Sequence, residues 1–247
     1  MPANKYSFEK ALQYHQAGRL EQAQDLYTQI LDSDPNHFDA LHMSGVLACQ
    51  LGESESGLER ISKAIAINPH VPAAHNNAGK ALYDLGEKER AIAGYQRALR
   101  LNPRFSAAHN NLGCALNDIG KYEQAVTACN RAIKLKPDYF EAYNNLGLAL
   151  ANLGRFEEAE SSYHRALRVR PGYPEAFNNL GNLLKDLGRP EEAESCYRQA
   201  LEHKPDYPQA LNNLGALRKD LGRLEEAESC YRQALRLKPD YPQALSN

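Results

Sequence analysis

A repeat of 34 residues runs through almost the whole sequence and constrains the fold more than any other feature. Proline and glycine each recur with this period, at Pro35, Pro69, Pro103, Pro137, Pro171, Pro205 and Pro239, and at Gly18, Gly52, Gly86, Gly120, Gly154, Gly188 and Gly222. A fixed period of this length is typical of proteins that stack one small structural unit on the next. No non-repeating stretch is long enough to form a domain, which argues against a two-domain enzyme in these 247 residues.

Between the recurring prolines and glycines, apolar residues follow a helical spacing. Residues 174–207 contain two such stripes, Leu180, Leu183, Leu184 and Leu187, then Ala193, Tyr197, Ala200 and Leu201. Steps of three and four residues predict two amphipathic helices. We expect Gly188 in the turn between them, and Pro205 at the break after the second helix.

A second glycine series lies inside the first predicted helix, at Gly45, Gly79, Gly113, Gly147, Gly181 and Gly215. Glycine in a helix costs about 0.5–1 kcal/mol relative to alanine. Its recurrence therefore predicts that the facing helix approaches too closely for a Cβ atom. The first repeat has Ala11 at this place, and the second repeat has Gly57 where the others have alanine.

Leu-Gly at the seventh and eighth positions, Ala at the twentieth, Tyr at the twenty-fourth, Ala at the twenty-seventh and Pro at the thirty-second resemble the tetratricopeptide repeat family. The resemblance implies an all-α fold, a right-handed superhelical α-solenoid of antiparallel helix pairs. We predict seven repeats, preceded by an extension at residues 1–3 and followed at 242–247 by the start of an incomplete eighth repeat. The repeats are 4–37, 38–71, 72–105, 106–139, 140–173, 174–207 and 208–241.

Paired asparagines occupy the fifth and sixth positions of five repeats: Asn76–Asn77, Asn110–Asn111, Asn144–Asn145, Asn178–Asn179 and Asn212–Asn213. Asparagine is a mediocre helix former, so its recurrence there needs an explanation. In the family, these positions line the concave groove. A primary amide both donates and accepts hydrogen bonds, so a column of amides suits the backbone of an extended peptide.

The repeats of peptide O-linked N-acetylglucosamine transferase are similar and use sixth-position asparagines in this way. That resemblance implies a peptide-binding role for Asn77, Asn111, Asn145, Asn179 and Asn213. The alternative is structural, with these side chains forming hydrogen bonds between repeats. Lys185 and Lys219, beside Asp186 and Asp220, are further candidates at the rim of the groove, where a solvated charged face is the alternative.

Composition and motifs exclude several other classes of function. The formal net charge of -2 argues against nucleic acid and anionic membranes as partners. No apolar run approaches the roughly 18 residues of a membrane helix, and the N-terminus lacks the apolar core of a signal peptide. Five cysteines without framework or ligand spacing suit a reducing cytoplasm. With no catalytic or phosphate-binding motif, we expect no enzyme activity, metal or cofactor in this segment.

The sequence therefore predicts a non-catalytic cytoplasmic scaffold whose groove holds a protein or an extended peptide. The alternative is the N-terminal, substrate-presenting part of a larger transferase, since similar bacterial arrays precede glycosyltransferase, sulfotransferase or methyltransferase domains. The incomplete eighth repeat leads us to expect a longer parent protein. The uncapped last helix, with Tyr231, Ala234 and Leu235, is expected to favour end-to-end self-association.

Overall fold

The computed structural model describes residues 2–242, and its regular elements in that range are α-helices. They are α1 (Pro2–Gln16), α2 (Leu20–Ser33), α3 (Phe38–Gln50), α4 (Ser54–Ile67), α5 (Pro72–Asp84), α6 (Lys88–Leu101), α7 (Ser106–Asp118), α8 (Tyr122–Leu135), α9 (Phe140–Asn152), α10 (Phe156–Val169), α11 (Pro174–Asp186), α12 (Pro190–His203), α13 (Pro208–Asp220) and α14 (Leu224–Leu237).

The recurring glycines and prolines separate these helices as the sequence predicts. Gly188 lies between α11 and α12 with a φ of 72°, a left-handed conformation that costs glycine little. All seven glycines of this series have positive φ. Pro205 follows the end of α12, and Pro190 is the first residue of that helix, where its missing N–H leaves no hydrogen bond unmade.

Within each unit, consecutive helices pack as close antiparallel pairs. A Cβ atom on Gly45, in the middle of α3, would meet Ile61 of α4, whereas a Cβ atom on Gly57, near the beginning of α4, would meet Cys49 near the end of α3. The two helices therefore run in opposite directions. A Cβ atom on Gly181 would lie 2.7 Å from Cε1 of Tyr197, a ring that is fully buried. The glycines inside the first helix of each pair, such as Gly45 and Gly181, therefore mark places where the facing helix leaves no room for a side chain.

The chain divides into two compact units, and the division falls between α7 and α8. Unit 1 ends at Gly120 and contains α1–α7, and unit 2 begins at Lys121 and contains α8–α14. In each unit, the twentieth-, twenty-fourth- and twenty-seventh-position residues build the core. Examples are Ala23 and Tyr27 in unit 1, and Ala193, Tyr197 and Ala200 in unit 2, each with 0% exposure.

Arginine–glutamate bridges join successive helix pairs in unit 2. Glu194 on α12 accepts from Arg223 at 2.7 Å and from Arg218 at 3.1 Å, both of the next pair. Arg198, one turn further along α12, adds a third contact at 2.9 Å. Hydrogen bonds from these arginines, chiefly that from Arg223, lower the pKa of Glu194 to about 2.

We expect Glu194→Gln to remove a pH-dependent part of the stability. The pKa of Glu194 is about 2 in the folded chain and about 4.3 for a glutamate in the unfolded chain. The stabilisation is therefore fully present above about pH 4.3 and is lost as the pH falls towards 2. Urea unfolding should show a loss of about 1 kcal/mol at pH 7 and almost none near pH 2. Glu228→Gln is the matched control, because Glu228 is exposed and forms its ion pair, among the described residues, with Arg232 alone. Equal pH dependence for both variants would contradict this prediction.

The predicted fold class, an all-α solenoid of tetratricopeptide helix pairs, is confirmed by these helices and by their packing. The repeat boundaries stay a prediction. Residues 243–247, which hold most of the expected eighth repeat, lie outside the described residues.

Candidate functional site

Helices α5 and α7 of unit 1 and helices α9, α11 and α13 of unit 2 carry the paired asparagines, and in each unit we call the face that bears them the asparagine face. The two members of each pair differ in burial. The fifth-position residues Asn76, Asn110, Asn144, Asn178 and Asn212 are 5–8% exposed, whereas the sixth-position residues Asn77, Asn111, Asn145, Asn179 and Asn213 are half-buried. The sixth-position amides are therefore the ones that a ligand can reach.

In unit 2, four of these side chains form a continuous hydrogen-bonded chain across α13, α11 and α9. Asn213 donates from Nδ2 to Oδ1 of Asn178 at 2.9 Å. Asn178 donates to Oδ1 of Asn179 at 3.5 Å, a weak bond, and Asn179 donates to Oδ1 of Asn144 at 3.0 Å. Each bond leads into the next, so the buried carboxamides find partners within the chain.

Unit 1 contains the same arrangement with a different last acceptor. Asn111 donates to Asn76 at 3.1 Å, and Asn76 donates to Asn77 at 3.3 Å. Asn77 then donates from Nδ2 to Nε2 of His42 at 3.0 Å. An amide nitrogen can only donate, so Nε2 accepts and the neutral ring carries its proton on Nδ1. Burial of His42 lowers its pKa, partly opposed by Asp39, and favours this neutral form.

These bonds leave hydrogen-bonding capacity at the sixth position. The NH₂ group of Asn179 has two hydrogens and uses one for Asn144, and its carbonyl oxygen has a second lone pair beside the bond from Asn178. The equivalent Asn77 has the same unused hydrogen and lone pair. The hydrogen bonds between helices thus hold the amide in place and still leave it a donor and an acceptor.

The predicted rim residues lie near the end of the odd-numbered helices. Lys185 is half-buried and Lys219 is exposed. The neighbouring carboxylates of Asp186 and Asp220 are exposed, and neither has an ion-pair or hydrogen-bond partner among the described residues. The equivalent Asp118 of unit 1 differs, because it accepts from the hydroxyl of Tyr83 at 2.5 Å.

A small cavity opens beside Asn179 between α9, α10 and α11 of unit 2. Its volume is 170 Å³, room for about five water molecules. The charged residue in its wall is Asp186, and its most exposed aromatic ring is Phe156, at 38%. The lining residues are Leu148, Ala151, Asn152, Phe156, Tyr163, Asn179, Asn182, Leu183 and Asp186.

The sequence-based reasoning missed two residues of the site. His42 takes the fifth position of the second predicted repeat, where later repeats have asparagine, and that substitution at a fixed place is a signal for it. Phe156 occupies a place that is variable among the repeats, so the sequence carried no signal for its position in the cavity wall.

The structure also bears on cysteine pairing, metal binding and membrane-spanning helices within residues 2–242. The cysteines described there are free thiols. No group of three or more histidine, cysteine or acidic residues in that range is placed to hold a metal ion. In the same range, no helix is both long and apolar enough to cross a membrane.

The packing of helix pairs in register around alanine and tyrosine defines the chain as a tetratricopeptide-repeat protein. The family model described as the Cilia and flagella-associated protein 70 C-terminal domain, a tetratricopeptide-repeat model, matches residues 39–246. This match covers most of the sequence, so the chain belongs to that family. A comparison with curated proteins gives no match.

Several solved structures are similar to this chain. A tetratricopeptide repeat protein from Parabacteroides merdae has a TM-score of 0.81 and 15% identity over 100% of this chain and 97% of that one, a likeness in fold alone. A thermophilic repeat protein from Thermus thermophilus has a TM-score of 0.66 and 27% identity, with coverage of 71% and 96%. YrrB, described as a TPR protein with an unusual peptide-binding site, has a TM-score of 0.53 and 25% identity, with coverage of 76% and 97%.

Proposed function

We propose that this chain is a non-catalytic scaffold that binds an extended polypeptide along its asparagine face. The observation that carries the proposal is the row of sixth-position amides in each unit, half-buried and held by hydrogen bonds to the fifth-position residues. The sixth-position asparagines contact the ligand, and the buried fifth-position asparagines orient them.

A fixed amide suits a peptide backbone for two reasons. The unused hydrogen and lone pair of Asn179 match the carbonyl and N–H groups that every residue of an extended chain presents. Because Asn144 and Asn178 already hold this side chain, little rotamer freedom is lost when a peptide binds. Binding through the backbone makes the interaction tolerant of the peptide sequence.

The likeness to YrrB supports the proposal, since that protein is described as having a peptide-binding site and shares 25% identity with this chain. A protein-binding role is also the usual one for tetratricopeptide repeats. The similarity to the repeats of peptide O-linked N-acetylglucosamine transferase stays a prediction. So do the transferase-presenting alternative, the end-to-end association through Tyr231, Ala234 and Leu235, and the cytoplasmic location.

We expect Asn179→Ala combined with Asn213→Ala to weaken peptide binding about tenfold or more, since each substitution removes a hydrogen bond to the ligand. The probe is the peptide that a displayed library of random peptides enriches most strongly on the wild-type chain. Its dissociation constant is measured by fluorescence anisotropy. Both substitutions also remove a bond between helices, so binding is measured at a temperature where the unfolding curve shows the variant to be folded.

The control is Asn130→Ala combined with Ser161→Ala, which removes two exposed polar side chains from α8 and α10 of the same unit. This variant should bind the peptide as the wild type does. Equal affinity of the folded asparagine variant and the wild type would show that the peptide does not use these amides. Failure of the library to enrich any peptide would overturn the proposed function.

A further inference from the structure

We propose that the cavity beside Asn179 receives a cationic side chain, that of an arginine or a lysine, from the bound polypeptide. This inference rests on the proposed function, since the cavity opens where a peptide lying along the asparagine face would pass. It adds a preference for one type of side chain to a surface that otherwise recognises the backbone.

The charge of the cavity wall favours a cation. Asp186 is the acidic residue of the lining, and it has no ion-pair or hydrogen-bond partner among the described residues. Neither lysine nor arginine lines the cavity, and Lys185, the neighbour of Asp186 in sequence, lies outside the lining. An anionic side chain would meet the carboxylate of Asp186 with no cation to offset it, whereas a guanidinium or ammonium group would pair with it.

The polar groups around Asp186 are oriented by bonds to the protein. Asn152 donates from Nδ2 to the carbonyl oxygen of Leu148 at 2.8 Å, which leaves its Oδ1 as an acceptor. The carbonyl oxygen of Asn182 accepts from the hydroxyl of Tyr197 at 2.7 Å, so its NH₂ group remains a donor. A cationic head can therefore donate to Asp186 and Asn152, while Asn182 is placed to donate to a backbone carbonyl.

The apolar part of the wall fits the rest of a long side chain. Leu148, Ala151 and Leu183 provide surface for methylene groups, which lysine and arginine bury while their charge stays near water. The partly exposed ring of Phe156 offers a face for a cation. A volume of 170 Å³ accommodates one side chain and not a folded element.

The corresponding place in unit 1 has different chemistry. A cavity beside Asn77 is lined by Val46, Cys49, Gln50, Ile61, Asn77, Lys80 and Ala81, and its volume is 70 Å³. The wall contains Lys80 and no acidic residue, so it is unsuited to a cation. The preference for arginine or lysine therefore belongs to the cavity of unit 2.

The test uses blocked tripeptides as probes and does not require the natural ligand. Alanine-arginine-alanine is compared with tripeptides that carry glutamate, leucine or citrulline in the middle; citrulline has nearly the shape of arginine without its charge. NMR titration of the whole chain locates each site and gives its affinity. We expect the arginine tripeptide to shift the resonances of Asn152, Phe156 and Asn182, and to bind about tenfold more tightly than the citrulline tripeptide.

Two pairs of variants make the test specific. Asp186→Asn should abolish the advantage of arginine over citrulline, whereas Asp220→Asn, an exposed residue at the same place of α13, should leave it unchanged. Phe156→Leu introduces the residue that occupies the equivalent place in α14, Leu224, and should weaken the arginine tripeptide about threefold. Leu224→Ala should have no effect on this tripeptide.

Equal binding of the four tripeptides, resonance shifts elsewhere, or the same loss in Asp220→Asn as in Asp186→Asn would overturn the proposal. Its failure is distinguishable from failure of the proposed function. Library peptides that need Asn179 and Asn213 but show no enrichment of arginine or lysine would remove the cavity preference alone. An arginine site at Asp186, without any peptide that depends on those asparagines, would remove the proposed function alone.

Discussion

Asn178→Ala is expected to lower the free energy of unfolding of the chain by about 3 kcal/mol. The side chain is 5% exposed and accepts from Asn213 while it donates to Asn179. Its loss leaves a small cavity and removes the partners of two half-buried amides. The measurement is urea unfolding followed by circular dichroism and fitted with a nearest-neighbour model, because repeat arrays do not unfold as one cooperative unit.

A double-mutant cycle separates the hydrogen bond from the cavity. Asn213→Ala removes the donor to Asn178, and the two substitutions together should cost about 1 kcal/mol less than the sum of the single ones. The matched control pairs Asn178→Ala with Asn182→Ala, since Asn182 bonds to Tyr197 instead. Those two effects should add. Additive effects for Asn178 and Asn213 would contradict the hydrogen-bonded chain across α11 and α13.

Gly181→Ala is expected to destabilise the chain by about 2 kcal/mol, although alanine is the better helix former. The new Cβ atom would lie 2.7 Å from Cε1 and 2.9 Å from Cδ1 of Tyr197, so this fully buried ring or the helix backbone would have to shift. Helix propensity alone predicts the opposite sign, a gain of about 1 kcal/mol. The sign of the change in the free energy of unfolding, measured by urea unfolding, therefore distinguishes the close-packing argument from the helix-propensity argument.

Removing the tyrosine ring should reduce the cost of the new methyl group. We expect the double variant Gly181→Ala and Tyr197→Leu to be more stable than the sum of the two single effects implies. Ala11 and Tyr27 show that a buried alanine and a buried tyrosine coexist at these two places in the first helix pair. Stabilisation by Gly181→Ala alone would refute the close-packing argument.

Much of the fold is predictable because it depends on local chemistry repeated at a fixed interval. The turn at Gly188 requires a positive φ, which glycine adopts most readily, and Pro205 cannot continue a helix. The glycine at 181 costs helix stability, so its recurrence pointed to the close approach of the facing helix, which in the structure presents the ring of Tyr197. Each of these inferences needs only one residue and the backbone around it.

The site was less predictable, because it depends on contacts between residues that are far apart in sequence. The sequence placed Asn178 and Asn179 on one face of a helix, and it left open whether they serve a ligand or the packing of neighbouring helices. In the structure, Asn179 donates to a residue 35 positions earlier. The hydrogen bonds between helices are therefore present, and they are compatible with the proposed peptide binding.

By itself, the sequence determined the class of fold, the turns, the close helix pairs and the position of the asparagines on one face, because a repeated pattern defines each helix and its immediate neighbour. Only the tertiary structure decided which amide bonds to which, that His42 ends the chain of amides in unit 1, and that Phe156 and Asp186 border one cavity. Such contacts depend on the distance and angle between successive helices. Those are set by all the side chains at the interface together, and no single repeating position encodes them.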